Sequence, residues 1–136
     1  MKKNIAFALF LVNIITCYLV GLHYLIKNKM TSYHMKVIGV PWEDLAPGVK
    51  TLMHVLKKGI GDALLVGAIS MTFILLIPFR REEEWSSWAL LCIGLAIWIP
   101  MLVGSIYVYR KTGAPSPWQA NIGLTAIILV GFFLSI

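Results

Sequence analysis

Four apolar runs divide this chain, and each is long enough to cross the hydrocarbon core of a lipid bilayer. They cover residues 5–26, 60–79, 85–109 and 118–136. A transmembrane helix needs about 17–25 predominantly apolar residues. Because no water in the bilayer core can bond to free backbone groups, such runs are predicted to be α-helices. The pattern therefore predicts an all-α integral membrane protein, with residues 1–136 forming a single antiparallel bundle of four transmembrane helices.

The composition excludes the other broad classes of protein. Hydrophobic residues make up 59% of the chain and charged residues 13%, with a mean hydropathy of +0.81. Soluble domains carry roughly 45–50% apolar and about 25% charged residues, and disordered chains are depleted in the apolar types that dominate here. A length of 136 residues leaves no room for a second, soluble catalytic module.

The first apolar run is interpreted as a retained helix. Met1, Lys2 and Lys3 followed by apolar residues resemble the start of a signal peptide. The run continues past Cys17 to Ile26, however, whereas a signal-peptide core needs only about 7–15 residues.

One sizeable segment, residues 27–59, is predicted to lie outside the membrane. Within it, Leu45 to Lys58 places apolar residues at helical spacing on one face and basic residues toward the other. We expect an amphipathic loop helix here, either lying in the membrane interface or extending the second span. Gly59 and Gly61 would permit a bend between this helix and the span.

The distribution of Lys and Arg predicts the orientation. The side of the 27–59 loop carries eight of these residues and the opposite side carries four. The positive-inside rule then places both termini outside and the loop in the cytoplasm, most simply in a bacterial inner membrane. Because basic residues that flank apolar runs anchor to anionic lipids, membrane lipids are the expected partners and nucleic acid is not.

Polar and irregular positions inside the runs indicate where a ligand would bind. Asn13 lies near the middle of the first span, and Pro100 interrupts the third span close to Trp98. These three residues are predicted to shape a pocket between the helices. A basic face before the second span is predicted to meet lipid phosphates at the interface: His54, Lys57 and Lys58.

Histidines give an alternative hypothesis. His23 ends the first span and His54 precedes the second, so the predicted topology places both on one side of the membrane. Two imidazoles from neighbouring helices can ligate haem iron or a transition metal. Asp62 or the third histidine, His34, could add to the ligand shell.

Small residues recur every fourth position in the spans and are expected to let helices approach closely. The stripes are Gly59, Ala63 and Gly67; Asn13, Cys17 and Gly21; Ala96, Pro100 and Gly104; and Gly123, Gly131 and Ser135.

Three functional hypotheses follow, and none of the common catalytic motifs is present to assign an enzymatic activity. The first is a membrane protein that binds a lipid or small hydrophobic molecule between its helices, as a subunit of a larger membrane assembly or alone. The second is a haem- or metal-binding redox protein that uses His23 and His54. The third is a small channel or transporter formed by several copies of the chain.

Overall fold

Helices account for all regular structure in the chain. The structure, a computed structural model, describes residues 1–136 and contains no β-strand. A single 3-10 turn, Trp42–Asp44, lies between the second and third helices. The helices are α1 (Lys2–Ile26), α2 (Ser32–Ile38), α3 (Pro47–Leu76), α4 (Glu84–Thr112) and α5 (Trp118–Ser135).

Four of these helices are long and apolar enough to cross a membrane, namely α1, α3, α4 and α5. The shortest, α5, has 18 residues, which correspond to about 27 Å at 1.5 Å per residue. The prediction of four apolar helices is confirmed. The short helix α2 was not predicted; it ends at Gly39, whose positive φ of 78° closes the last turn.

Helix α3 begins at Pro47 and continues without a break through Gly59 and Gly61. Of the two alternatives predicted for residues 45–58, a helix lying in the interface or an extension of the second apolar run, the structure has the extension. The reason lies at Gly61. A Cβ there would lie 2.9 Å from the carbonyl oxygen of Gly21, so this glycine permits close approach to α1, and no bend is required.

Each long helix packs mainly on two others. Helix α1 lies against α3 and α5, and α4 lies against α5 and α3. The first half of α1 meets the α3–α4 turn where the Phe10 and Phe79 rings are 5.6 Å apart. Its last turns meet the middle of α3 at Gly21 and Gly61. A ten-residue apolar cluster fills the half of the molecule near the α3–α4 turn: Ala6, Phe10, Ile14, Met71, Leu75, Phe79, Leu90, Leu91, Ile128 and Phe132.

The predicted small-residue stripes are only partly at helix contacts. The α1 stripe is buried along its whole length, at Asn13, Cys17 and Gly21. In α3 one member of the stripe lies at a helix contact: Gly67 is half-buried, and a Cβ there would lie 2.6 Å from the Ile97 side chain of α4. Its other members, Gly59 and Ala63, are exposed. The stripe predicted in α4 faces outward as a whole: Ala96, Pro100 and Gly104 are exposed. In α5, Gly131 is buried, Ser135 is half-buried and Gly123 is exposed.

Candidate functional site

Two buried polar atoms in the middle of the molecule have no hydrogen-bond partner. Asn13 is fully buried, and its Nδ2 donates to the Leu9 carbonyl at 3.3 Å while its Oδ1 accepts nothing. Trp98 is 1% exposed, and its Nε1 donates to nothing. A buried polar group without a partner costs about 1–3 kcal/mol. These are the two fully buried side-chain polar atoms of the chain that remain unpaired.

Both atoms belong to the same part of the interior. Trp98 packs in one cluster with Cys17, Leu64 and Ala68, which brings together side chains from α1, α3 and α4. Asn13 lies one turn before Cys17 on the buried face of α1. The two unpaired groups are complementary, since the amide oxygen is an acceptor and the indole N–H is a donor. A hydroxyl group, which both donates and accepts, has the chemistry to pair with either of them.

Pro100 is not part of this interior region. Its side chain is exposed on the outer surface of α4, and the helix is continuous through it. Positions two residues apart on an α-helix are separated by about 200°, so Pro100 and Trp98 point to opposite sides. The predicted grouping of Asn13, Trp98 and Pro100 therefore reduces to its first two members.

Lys57 is hydrogen-bonded at the C-terminal end of α1. Although it is a lysine, it is only 3% exposed, and its ammonium group donates to the carbonyl oxygens of Lys27 and, at 3.0 Å, of Lys29. Free carbonyls and the negative end of the helix dipole favour a cation at this position. The predicted phosphate-binding face is thus reduced, because its other members are the half-buried His54 and the exposed Lys58.

The residues predicted as metal ligands do not form a three-ligand group. His23 and Asp62 are exposed, and His54 is half-buried. The structure brings no group of three or more His, Cys, Asp and Glu side chains into a position to hold a metal ion.

The third histidine lies in an aromatic group that the sequence did not single out. The ring centroids of His34 and Tyr33 are 3.8 Å apart, and the Tyr24 ring lies 6.4 Å from His34. The Thr31 hydroxyl is hydrogen-bonded to His34 Nδ1. Burial lowers the pKa of His34 from its usual value of 6.5, and the nearby Lys57 ammonium lowers it further.

A second polar group, which was also not predicted, joins α4 to α5. Asn121 Nδ2 donates to the Met101 carbonyl and to Ser105 Oγ, each at 3.1 Å. Ser116 Oγ donates to the Ser105 carbonyl at 2.6 Å. All three polar side chains are buried. An asparagine inside the fourth apolar run was the available signal, because such a residue needs a partner in hydrocarbon.

Comparison with protein-family models, with curated proteins and with solved structures finds no match for this chain. A function is therefore inferred from the geometry of this chain's own residues.

Proposed function

We propose that this chain is an integral membrane protein whose four long helices cross the bilayer as an antiparallel bundle. The outer surface supports this proposal, because every long helix presents large apolar side chains outward. One from each helix is more than three-fifths exposed: Leu19 at 64%, Val66 at 64%, Val103 at 62% and Phe133 at 68%. Contiguous apolar surface of this kind is unfavourable in water and suits lipid.

The membrane we propose is a bacterial inner membrane, with the Lys27–Ala46 segment, the first turns of α3 and the α4–α5 turn in the cytoplasm. The eight basic residues on that side against four on the other support this orientation. Single cysteines at Val40 and Arg81, in a variant whose Cys17 and Cys92 are replaced by Ala, would be labelled in intact cells with a membrane-impermeant maleimide. We expect labelling at position 81 and none at position 40. The reverse pattern would invert the topology, and labelling at both would contradict the membrane-spanning arrangement.

Within this frame, we propose that the protein binds a hydroxyl-bearing apolar molecule, of lipid or similar chemistry, between its helices. The observation that carries the proposal is the pair of unpaired, fully buried groups, Asn13 Oδ1 and Trp98 Nε1. Left alone, the pair would oppose folding by about 2–6 kcal/mol. A bound hydroxyl removes such a cost, since it can accept from the indole N–H or donate to the amide oxygen. Ligand sites between helices are typically apolar with a few placed polar groups.

Native mass spectrometry of the protein extracted in a mild detergent tests this function. We expect one retained molecule per chain in the wild type, and a loss of about tenfold in occupancy for Trp98→Phe, which removes the indole N–H and keeps an aromatic side chain. Trp118→Phe is the matched control, because Trp118 is half-buried at the start of α5 and packs on Tyr109. We expect its occupancy to equal that of the wild type.

Two results would contradict the proposal. One is a bare chain under all mild extraction conditions, and the other is a retained molecule whose occupancy is the same in the two variants. A retained mass equal to haem would instead support the redox hypothesis, and the His23→Ala and His54→Ala variants would then lose it.

A further inference from the structure

A cavity lies at the end of the molecule opposite the 27–46 segment, where the start of α1, the α3–α4 turn and the end of α5 meet. Its volume is about 520 Å³, within the usual range for a small-molecule site. A second cavity of about 270 Å³ adjoins it and shares Lys3, Phe79 and Glu82. We name the two together the hairpin cleft. None of the residues assigned to the interior site lines it.

The larger part of the hairpin cleft is acidic. It is lined by three successive glutamates and one lysine, and Lys3 pairs with Glu82 at 3.0 Å. Glu83 accepts a hydrogen bond from Trp85 Nε1 at 2.7 Å. Glu84 has no such partner, because the two ion pairs of the molecule are Lys3–Glu82 and Lys29–Glu43. One carboxylate is therefore free to accept hydrogen bonds from a cation in the cleft.

A second polar group opens into the same space. Ser87 lines the larger cavity, is only 5% exposed, and its hydroxyl makes no hydrogen bond within the protein. Its neighbour Ser86 differs, because its hydroxyl donates to the Glu83 carbonyl at 2.5 Å. Ser87 lies three positions after Glu84 on α4, so the two side chains share a face of the first helical turns. A hydroxyl without a protein partner beside an unpaired carboxylate offers two acceptors to a donor that enters the cleft.

The smaller part of the cleft has the opposite character. Arg80 and Lys3 line it together with Asn4 and Phe7. The Arg80 guanidinium lies over the Phe7 ring, 5.2 Å from its centroid, and forms no ion pair. An arginine beside a lysine and an asparagine amide is suited to a phosphate. Cationic and acidic groups thus adjoin one another at the end of four apolar helices. Trp85 and Trp88 lie exposed at the same end, as is typical of the interfacial level.

We propose that the hairpin cleft binds the headgroup of a zwitterionic phospholipid that carries a primary amine. Glu84 and Ser87 accept hydrogen bonds from the ammonium group, and Arg80 with Lys3 holds the phosphate. The acyl chains then follow the exposed apolar surface of the helices. A trimethylated ammonium has no N–H to donate to these acceptors, and a glycerol headgroup has no positive charge. The proposal rests on the proposed membrane insertion and is independent of the Asn13–Trp98 site.

The test is native mass spectrometry of the full chain after exchange into detergent that contains equal amounts of three phospholipids. They carry identical acyl chains with ethanolamine, choline or glycerol headgroups. We expect the wild type to retain the ethanolamine lipid about tenfold more than either of the others, the difference expected for one charged hydrogen bond. Glu84→Gln should abolish this preference, and Ser87→Ala should weaken it.

Glu43→Gln is the matched control, since Glu43 is an exposed glutamate at the other end of the molecule and pairs with Lys29. It should retain the wild-type preference. Trp98→Phe should also keep it while losing the interior molecule, which separates failure of this inference from failure of the proposed function. Soluble phosphoethanolamine is added in a further experiment. Displacement of the lipid at equal concentration would assign the same chemistry to a soluble ligand, and no displacement supports the lipid.

Equal retention of the three lipids by the wild type would overturn the proposal. A preference for the glycerol lipid would do the same, as would a Glu84→Gln variant indistinguishable from Glu43→Gln.

Discussion

The two buried asparagines of this molecule differ in how their amides are satisfied. Asn121 uses its amide nitrogen for two hydrogen bonds that join α5 to α4, and its neighbours Ser105 and Ser116 complete the group. Asn13 donates only to its own helix, and its Oδ1 is left without a partner at 0% exposure. The difference teaches that burial alone does not reveal the role of a polar residue in a membrane helix. A satisfied amide joins helices, and the unsatisfied one is the group to which the proposed function assigns a partner from outside the chain.

Replacing Asn121 should produce the largest loss of stability. Asn121→Leu removes both hydrogen bonds between the helices and leaves Ser105 Oγ without its donor. We expect the free energy of unfolding to fall by about 2 kcal/mol, from two bonds worth about 1 kcal/mol each. Thermal unfolding in detergent measures this. Ile122→Leu is a matched control on the exposed face of α5, and a loss as large in that variant would remove the structural role assigned to Asn121.

Lys57 gives a second comparison with Asn13, because its buried ammonium group donates hydrogen bonds to two carbonyl oxygens. Lys57→Met keeps the apolar stem and removes the ammonium group from the end of α1. We expect a loss of about 1 kcal/mol in the free energy of unfolding, in line with a cation at a helix C-terminus. The adjacent Lys58 is exposed, and Lys58→Met should leave stability unchanged under the same conditions. Equal losses from the two substitutions would show that stability depends on the net charge of this region and not on the hydrogen bonds of Lys57 to the end of α1.

His34 is a titratable member of the same end of the molecule. Because its pKa is lowered in the folded protein, the folded state binds a proton less readily than the unfolded state. The stability contributed by the neutral imidazole is present above the usual pKa of 6.5 and is lost as the pH falls below it. We expect the unfolding temperature to decrease over this range in the wild type and to decrease less in His34→Gln. Identical pH profiles for the two proteins would contradict a buried, neutral His34.

The smallest loss of stability is expected at Asn13. In protein stripped of bound lipid, Asn13→Leu removes an unsatisfied acceptor, so the free energy of unfolding should stay the same or rise by up to about 3 kcal/mol. The unfolding temperature, measured beside that of Asn121→Leu, checks this expectation. A loss at Asn13 as large as that at Asn121 would mean that Oδ1 is satisfied within the protein, and the contrast between the two asparagines would disappear.

The sequence predicts where the long helices lie but not which of their faces are buried. Length and apolarity identify the four long helices, because a run such as 118–136 has few structural alternatives. They do not identify which face of a helix is buried, because a span that meets lipid outside and protein inside is apolar on all sides. The α4 stripe of Ala96, Pro100 and Gly104 has the expected spacing yet faces outward, and the buried face carries Gly94, Trp98 and Ser105 instead.

For the candidate sites, too, the sequence identifies unusual residues but not the contacts that they make. Asn13 and Trp98 are recognisable in the sequence as unusual residues within a span, and both lie in the interior. That their polar atoms lack partners depends on the neighbouring helices, which one sequence does not locate. The hairpin cleft was not predicted, because Glu84 and Ser87 look like ordinary flanking residues until α1 and α5 are placed beside them. Lys57 was interpreted as a basic surface residue, because its partners are backbone carbonyls that carry no sequence signature.

The claim that a molecule is bound between the helices is tested most directly by whether the Trp98 indole N–H is hydrogen-bonded. In protein labelled with ¹⁵N at tryptophan, the indole signal of Trp98 is assigned by its absence in Trp98→Phe. It is then compared between protein extracted in mild detergent and the same protein after exhaustive removal of lipid. The account predicts that the Trp98 signal shifts when the bound molecule is removed, because the indole loses its acceptor, while the Trp118 signal stays in place. A Trp98 signal at the same position in both samples would show that the indole has no external partner, and it would contradict a ligand bound between the helices.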